Sequence, residues 1–120
     1  MLTKEQAHRF AQEWVAAWNA HDLDRIMAHY EEEVELISPV AAQLLHQADG
    51  KVTGKVNLRA YFQKGLSAYP SLHFELKDVL WGIGSVVLYY TNHRGTHTGE
   101  FMEISPAGKV SRIVANYSGS

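Results

Sequence analysis

The most constraining feature of the sequence is a pair of amphipathic segments near the start of the chain, joined by a tight corner. In the first, aromatic residues recur every four positions beside alanines, and in the second the apolar positions follow an i, i+3, i+4, i+7 pattern. Each pattern gives a helix one apolar face. Two indoles on one face need a large surface to cover them, and a curved sheet is the natural candidate. The apolar positions are Ala7, Phe10, Ala11, Trp14, Ala17 and Trp18, then Leu23, Ile26, Met27 and Tyr30.

Local signals mark the ends of these helices and of the strand that follows. Thr3 with Gln6 forms a capping-box pattern, and Asp22 is a favoured N-cap for the second helix. The acidic residues 31–33 are interpreted as a solvated corner. Alternation after them predicts a strand that Pro39 ends. The apolar or small residues on one face of this strand are Val34, Leu36 and Ser38.

The middle of the chain is less regular. Residues 40–53 show no sustained period, and we interpret them as a flexible lid or connection, in which 40–46 could form a turn of helix and 47–50 a loop. A third helix is predicted from about Lys55 until Pro70 ends it. Its apolar face consists of Leu58, Tyr61, Phe62, Leu66 and Tyr69.

From Leu72 onward the period changes to two, and turns at 82–84, 94–95 and 106–108 separate four strands of an antiparallel meander. Helices followed by a meander predict an α+β fold. We expect residues 1–120 to form a single domain, with three N-terminal helices packed in the concave face of a strongly curved, mixed or antiparallel sheet. A strongly bent sheet leaves a pocket at its open end.

The composition limits the classes of function. Of 120 residues, 46% are hydrophobic and 20% charged, the formal net charge is -2, and there is no cysteine. This balance offers no basic surface for nucleic acid, and the lack of cysteine removes thiol nucleophiles and disulfides. No apolar run approaches the length of a membrane span. We therefore expect a cytoplasmic protein with neither nucleic acid nor membrane as a partner.

The predicted order α-α-β-α-β-β-β-β, with the segments 14–24, Ser38-Pro39 and 107–110, resembles the nuclear-transport-factor-2-like superfamily. Within it the chain is most similar to the SnoaL-like and ketosteroid-isomerase-like branch. The resemblance covers nearly the whole chain and is most specific over residues 15–26. It implies a cystatin-like α+β cone, an apolar pocket for a small molecule, and dimers formed through the outer face of the sheet.

The resemblance also places the groups that ketosteroid isomerases use: an aspartate base, and an oxyanion hole made of a tyrosine and a protonated aspartate. The base falls on Ser38, whose neutral hydroxyl cannot remove a carbon-bound proton near pH 7 without an activating partner. The tyrosine falls on Trp14, and the protonated acid falls near Glu100. Because two of the three groups differ, we expect that the chain is not an authentic ketosteroid isomerase.

Glu100 is the leading candidate for catalysis. Alternation places it on the strand face that carries Thr98, Met102 and Ile104, and we expect this face to line the pocket. Burial there would raise the pKa of the carboxyl group and make it a usable general acid or base. In the alternative register the same face points outward and Phe101 packs inside. The pattern alone leaves both registers open.

Tyrosines and tryptophans supply most of the other candidates. Tyr30 and Ser38 complete a catalytic set with Glu100, although ordinary core tyrosines would explain Tyr30 and Tyr61 more simply. The two indoles of the first helix equally fit a packed core. These aromatic side chains favour an apolar or aromatic ligand. The predicted ligand-binding residues are Trp14, Trp18, Tyr61, Phe62, Tyr89 and Met102.

The seven histidines show no metal-site pattern. None lies in an HExxH motif, and none pairs with an aspartate at ligand spacing. His93 and His97 flank a turn, and we expect both to be solvated. The sequence contains neither a glycine-rich phosphate loop nor a Ser-His-Asp order. We therefore predict no metal and no cofactor.

Two functions fit these observations. The first is a SnoaL-like small-molecule pocket, in which an acid–base isomerase, cyclase or dehydratase acts without a cofactor on a small hydrophobic or aromatic molecule. The second is a non-catalytic ligand-binding or dimerisation module. Residues 86–90 are apolar on both faces of a strand, so the outer face needs a partner, and we expect a homodimer there.

Overall fold

The computed structural model describes residues 2–119, which form four helices and six strands. No helix among these residues has both the length and the apolar sequence that crossing a membrane requires. The predicted α+β class is confirmed, with one helix and one strand more than expected. The elements in chain order are α1 (Lys4–Asn19), α2 (Leu23–Met27), β1 (Tyr30–Ile37), α3 (Pro39–Leu45), β2 (Lys51–Thr53), α4 (Lys55–Ala68), β3 (Glu75–Trp81), β4 (Ser85–Thr91), β5 (His97–Ile104) and β6 (Val110–Tyr117).

The strands form one open, mixed sheet in the order β2-β1-β6-β5-β4-β3. β1 runs parallel to β6, and the other neighbouring pairs are antiparallel. Strands β3 to β6 are the predicted meander. Register shifts interrupt the β1–β6, β3–β4 and β5–β6 pairings, and such irregularities bend the strands that contain them.

Helices α1 and α2 begin where their capping signals predict. The Thr3 hydroxyl accepts a hydrogen bond from the Gln6 backbone N–H at 3.1 Å, and the Thr3 N–H donates to Gln6 Oε1 at 2.9 Å. Asp22 accepts from the Arg25 backbone N–H at 3.2 Å and caps α2. The corner between the helices turns at His21, whose backbone is left-handed with φ 55°.

Residues 40–53 are more ordered than the flexible lid or connection that we expected, and the turn of helix considered for 40–46 belongs to α3. The Ser38 hydroxyl accepts a hydrogen bond from the Val40 N–H at 3.1 Å and so caps α3. Pro39 occupies the first turn of that helix, where its missing N–H has no intrahelical partner to lose. The pair Ser38-Pro39 therefore starts α3 as well as ending β1. Strand β2 was missed because three residues are too few to show an alternation.

Tyr30 lies in β1 and not in the second helix as predicted, because α2 already ends at Met27. The acidic residues 31–33 also belong to β1, in the stretch where its register with β6 shifts. The inward face of β1 is the predicted one. Its buried residues continue into the α3 cap and are Val34, Leu36 and Ser38.

Aromatic rings fill the space between α1 and the inner face of the sheet. Trp14 stacks nearly parallel on Phe74, with an interplanar angle of 13° and ring centroids 5.8 Å apart. Trp18 meets Phe62 of α4 edge to face at 4.8 Å. Both geometries are favourable aromatic arrangements, and they hold α1 and α4 at a fixed distance from the sheet.

Burial decides the register of the central strands. The inward residues of β5 include Glu100, as predicted, and the alternative in which Phe101 packs inside is wrong. The same parity puts Tyr90 on the inner face of β4 and Tyr89 on the outer face. The buried inward residues of the two strands are Val86, Leu88, Tyr90, Thr98, Glu100 and Met102.

Candidate functional site

A cavity of about 80 Å³ lies between the inner face of the sheet and helices α1, α3 and α4. Buried side chains form its inner end, which includes Trp14, Phe74, Tyr90 and Glu100. Partly exposed side chains form its outer end, where a ligand would enter. These outer residues are Val40, Leu44, Tyr61, Tyr69, His93 and Tyr117.

The size and lining of the cavity restrict what it can hold. An engineered closed apolar cavity of about 150 Å³ binds benzene; the cavity here has about half that volume but is open at its outer end, so a bound molecule can extend into the opening. The surrounding side chains are mainly aromatic and aliphatic, with a few polar groups that converge from the sheet. This combination suits a small, largely apolar molecule that carries one or two polar atoms.

Among residues 2–119, Glu100 is the only carboxylate that lines this cavity. Its side chain is 6% exposed, and it forms no ion pair with any of the described residues 2–119. Burial raises the pKa of Glu100 to about 7, against the lowering effect of a hydrogen bond from Tyr90. A carboxyl group with a pKa near neutrality exchanges protons readily in both directions at pH 7.

Tyr90 fixes the position of the carboxyl group. Its hydroxyl donates to Glu100 Oε1 at 2.6 Å, and Tyr90 is itself held by stacking against Phe74, with centroids 4.5 Å apart. Burial and the neighbouring carboxylate raise the pKa of Tyr90 well above its ordinary value. Tyr90 therefore stays protonated and remains a donor. It occupies one carboxyl oxygen, and among the described residues no other group donates to this carboxyl.

Three hydroxyl groups form a second polar part of the wall: Ser38 at the end of β1, Tyr61 on α4 and Tyr117 on β6. Burial raises the pKa of Tyr61 to about 12 and the pKa of Tyr117 further still, while the nearby Ser38 hydroxyl lowers both. The negative charge of Glu100 also raises the pKa of both tyrosines, so the carboxylate lies close enough to influence the part of the cavity that these phenols line. All three hydroxyls are neutral donors near pH 7.

His93 also lines the cavity, which corrects the prediction that it is a solvated residue at a strand end. Its ring packs against Tyr69, with centroids 4.1 Å apart. Both ring nitrogens are buried, and neither has a hydrogen-bond partner among residues 2–119. Burial, and to a smaller degree the charge of Arg94, lowers the pKa of His93. The imidazole is therefore neutral at pH 7, with one donor and one acceptor nitrogen.

The structure brings six of the predicted site residues to this cavity. Their contact with a ligand remains a prediction. The six are Glu100 and Ser38 from the catalytic set, and Trp14, Trp18, Tyr61 and Phe62 from the ligand-binding set.

Tyr30 does not belong to the cavity wall, and we withdraw the prediction that it is catalytic. Its side chain is completely buried, and its hydroxyl accepts a hydrogen bond from Trp14 Nε1 at 2.9 Å. Burial raises the pKa of Tyr30 far above its ordinary value. The phenol therefore satisfies a core indole and has no contact with the space where a ligand would bind.

Met102 and Tyr89 also lie away from the cavity. Met102 is fully buried between Val86 and Ile113 of the neighbouring strands and only fills the core. Tyr89 is on the outer face of the sheet, is 38% exposed, and has its hydroxyl 3.1 Å from His97 Nδ1. The wrong face was predicted for Tyr89 because residues 86–90 are apolar on both faces of the strand, so alternation could not decide which face points inward.

Sequence reasoning missed several polar residues of the wall, among them Tyr90, His93 and Tyr117. A signal existed for Tyr90, since placing Glu100 inward and pairing the strands across the 94–95 turn brings Tyr90 opposite Thr98, one pleat from Glu100. No comparable signal existed for His93, because its position depends on how the turn folds towards Tyr69.

Within residues 2–119, no three or more histidine, aspartate or glutamate side chains lie together in a group that could hold a metal ion. Glu100 and His93 are the acid–base side chains that face the cavity.

The comparisons with known proteins agree with this architecture. The family model of the SnoaL-like domain matches residues 11–115. A SnoaL-like protein of unknown function from Burkholderia thailandensis is 36% identical, with a TM-score of 0.93, over 99% of this chain and 100% of that one. None of the curated proteins matches the sequence.

Two more distant crystal structures support the fold alone. A candidate ketosteroid isomerase from Kribbella flavida has a TM-score of 0.76 at 19% identity, over 97% of this chain and 80% of that one. A protein with a cystatin-like fold from Methylobium petroleophilum has a TM-score of 0.77 at 12% identity, over 99% and 80%. The resemblance drawn from the helix-corner-helix segment is thus confirmed. The chain belongs to the SnoaL-like domain family.

Proposed function

We propose that the protein is an acid–base catalyst that moves a proton on a small, largely apolar carbonyl compound, with Glu100 as the group that accepts and returns the proton. The observation that carries the proposal is the environment of Glu100. It is an uncompensated carboxyl group, 6% exposed, on the wall of a mainly apolar cavity and held through one oxygen by Tyr90. Its pKa of about 7 suits both halves of a proton transfer.

The proposed substrate class follows from the cavity. A space of about 80 Å³ favours a compact molecule over a steroid. Its polar groups include the Glu100 carboxyl, the hydroxyls of Ser38, Tyr61 and Tyr117, and the ring of His93, so it can accommodate a polar oxygen beside apolar carbon atoms. A ketone or aldehyde combines these features. Among the structural relatives, the Kribbella flavida protein is named as a candidate ketosteroid isomerase, a chemistry of the same general kind.

In the proposed step the ionised carboxylate of Glu100 removes a proton from the carbon next to the carbonyl group. The electron pair of the C–H bond becomes the C=C bond of an enolate, and the carbonyl π pair moves onto the oxygen. The hydrogen of the protonated carboxyl group exchanges with solvent, and Glu100 then delivers a proton, which in D₂O is a deuteron, to the same carbon. With a conjugated substrate it can return the proton to the far end of the system, which shifts the double bond.

The test is exchange of the α-hydrogens of cyclopentanone for deuterium in D₂O, followed by proton NMR. We expect the protein to accelerate the exchange and the Glu100→Gln substitution to slow it at least about 100-fold, a typical effect of removing a general base. Glu103→Gln is the matched control, because Glu103 lies on the same strand with an exposed side chain and a 3.5 Å ion pair to Arg112. Equal exchange rates for the wild type and Glu100→Gln would contradict the proposal.

A second function, homodimerisation, is favoured by the outer face of the sheet. Leu80, Val87, Phe101 and Val114 are successive partners in the strand register and form one apolar row across β3, β4, β5 and β6. Leu80 is 53% exposed, and the other three are partly exposed. A continuous apolar row on an uncovered sheet face is typical of a protein interface.

We therefore expect Phe101→Lys to turn a dimer into a monomer in sedimentation equilibrium at micromolar concentration, because a charge at the centre of the row would be buried without a partner. The matched control is Val56→Lys on α4, where the side chain is already 82% exposed. A wild-type protein that sediments as a monomer would rule out this dimer. An equal effect of both substitutions would place the interface elsewhere.

A further inference from the structure

His93 is held in place more firmly than a turn residue usually is. It lies two residues after the end of β4, and the preceding Asn92 holds the turn in place. Asn92 Nδ2 donates to the hydroxyls of Thr96 and Thr98, both at 3.0 Å, and Asn92 Oδ1 accepts from the Arg94 N–H at 3.0 Å. Asn92 is 6% exposed. The backbone on both sides of His93 is therefore fixed, and its ring is aimed at the helical side of the cavity.

Packing then fixes the ring itself. Tyr69 caps the C-terminal end of α4, and its ring lies against the imidazole at an interplanar angle of 43°. Both Tyr69 and His93 line the cavity. The imidazole thus occupies the position where the sheet, α4 and the entrance of the cavity meet.

Among the described histidines, His93 is the one with both ring nitrogens buried and unpaired, whereas His29 Nε2 and the cavity-lining Trp18 Nε1 are single unpaired nitrogens. His21 Nε2 lies 2.7 Å from a backbone carbonyl oxygen, and His97 Nδ1 lies 3.1 Å from the Tyr89 hydroxyl. The two ring nitrogens of His93 are both buried, and neither meets a donor or acceptor of the described chain. Buried polar groups in native proteins are normally paired, so an unpaired imidazole on a cavity wall points to a partner that enters the cavity.

We propose that His93 binds the carbonyl oxygen of the ligand through a ring N–H, opposite the carbon atom on which Glu100 acts. This inference rests on the proposed function for its catalytic part, whereas the binding part stands on the geometry of His93 alone. A hydrogen bond from His93 limits the substrate class to compounds whose carbonyl oxygen reaches the outer end of the cavity while the reacting carbon faces Glu100 at the inner end.

The role is that of a neutral hydrogen-bond donor. As Glu100 removes the α-proton, the carbonyl oxygen gains the electron pair of the π bond, and the N–H of His93 donates to an oxygen of increasing negative charge. The imidazole keeps its proton throughout, and Glu100 both takes the proton from carbon and delivers one back. A donor placed where charge develops stabilises the enolate more than the ketone.

The test compares cyclopentanone with cyclopentane, which has the same ring without the oxygen. Binding is followed by the NMR signals of the indole N–H groups of Trp14 and Trp18, and catalysis by deuterium exchange. We expect His93→Phe to weaken cyclopentanone binding about fivefold, the effect of one hydrogen bond. Cyclopentane binding should be unchanged, since a phenyl ring still packs on Tyr69. We also expect exchange to slow by about 100-fold, as for loss of an oxyanion donor.

Two further variants separate a specific role from a structural one. His97→Phe removes a neighbouring imidazole outside the cavity and should change neither binding nor exchange. His93→Gln keeps a side-chain N–H donor and should recover part of the loss. The carbonyl ¹³C signal of labelled cyclopentanone adds a direct readout, because it should lie further downfield in the complex with the wild type than in the complex with His93→Phe.

The outcomes distinguish this inference from the proposed function. If Glu100→Gln abolishes exchange while His93→Phe leaves the exchange rate and the ketone-to-hydrocarbon affinity ratio intact, the His93 proposal fails and the function stands. If the wild type does not accelerate exchange but His93→Phe still lowers the affinity ratio, the function fails and His93 remains a ligand-binding residue. A wild type that binds cyclopentanone no better than cyclopentane overturns the role of His93.

Discussion

Replacing Glu100 by glutamine is expected to raise the free energy of unfolding at pH 8 by about 3 kcal/mol. Burial raises the pKa of Glu100 from 4.5 to about 7 in the folded protein, and each tenfold change in a proton equilibrium corresponds to about 1.4 kcal/mol. Ionisation above pH 7 therefore destabilises the folded state relative to the unfolded chain. Glutamine carries no charge and can still accept the Tyr90 hydrogen bond, so the substitution removes this penalty.

The expected difference in the free energy of unfolding between Glu100→Gln and the wild type increases as pH rises. Below the unfolded-state pKa of 4.5 the carboxyl group is protonated in both states and contributes no penalty. Between pH 4.5 and 7 the folded protein keeps a proton that the unfolded chain has released, so the stability of the wild type falls as pH rises. Well above pH 7 the carboxyl group is ionised in both states, so the loss of wild-type stability is complete and the stability difference between the two proteins is constant.

Urea unfolding, followed by tryptophan fluorescence at one protein concentration and at several pH values between 4.5 and 8, measures this difference. The lowered pKa values of His29 and His93 destabilise the folded state as pH falls, but they are present in both proteins and cancel in the comparison. Glu103→Gln on the exposed face of β5 is the control. A stability difference between Glu100→Gln and wild type that does not change with pH would show that the buried carboxyl group carries no such penalty.

The parts of the fold that depend on local signals could be predicted from the sequence. The capping box at Thr3, the N-cap at Asp22 and the turns of the meander involve residues a few positions apart. The inward face of β5 followed from simple alternation around Glu100, once one of two registers was assumed. These features are set by neighbours in the chain, and one sequence contains all the information that they need.

The rest of the site depends on tertiary packing. From the sequence alone, the Tyr30 hydroxyl could bind a ligand or lie in the core. The hydrogen bond that it accepts from Trp14 Nε1 at 2.9 Å shows that it lies in the core. His93 could be solvated or buried, and the ring of Tyr69 decides between them. In both pairs the two residues are more than ten positions apart in the sequence, so hydrophobic periodicity cannot predict that they touch.

The segment between β1 and α4 contains Gly50, the described glycine at which an added Cβ would come closest to another atom. Gly50 has φ +60°, and an added Cβ would lie 2.4 Å from the Ser38 carbonyl oxygen. That oxygen also accepts the hydrogen bond from the Ala42 N–H at 3.1 Å, and the Ser38 N–H donates to the Gly50 carbonyl oxygen at 3.0 Å. Gly50 therefore allows two backbone segments to approach each other at the point where α3 begins.

We expect Gly50→Ala to lower the free energy of unfolding by about 3 kcal/mol, because it combines left-handed strain with a steric clash against the main chain. The clash cannot be relieved by rotating a side chain, since the atom that it meets is a carbonyl oxygen. Gly108→Ala is the matched control. Gly108 has φ +80° but no atom within 4 Å of an added Cβ, so it should show the strain alone, about 1 kcal/mol.

The same substitution should impair the cavity, because Ser38, Val40 and Leu44 belong to its wall and are positioned by the start of α3. We expect Gly50→Ala to weaken cyclopentanone binding, measured by the indole N–H signals, under conditions where the variant is still folded. Gly108→Ala should bind normally. If both glycine variants lose the same small stability and bind equally well, the approach of Gly50 to Ser38 does not hold α3 against the sheet, and the wall at this end of the cavity must be held by other contacts.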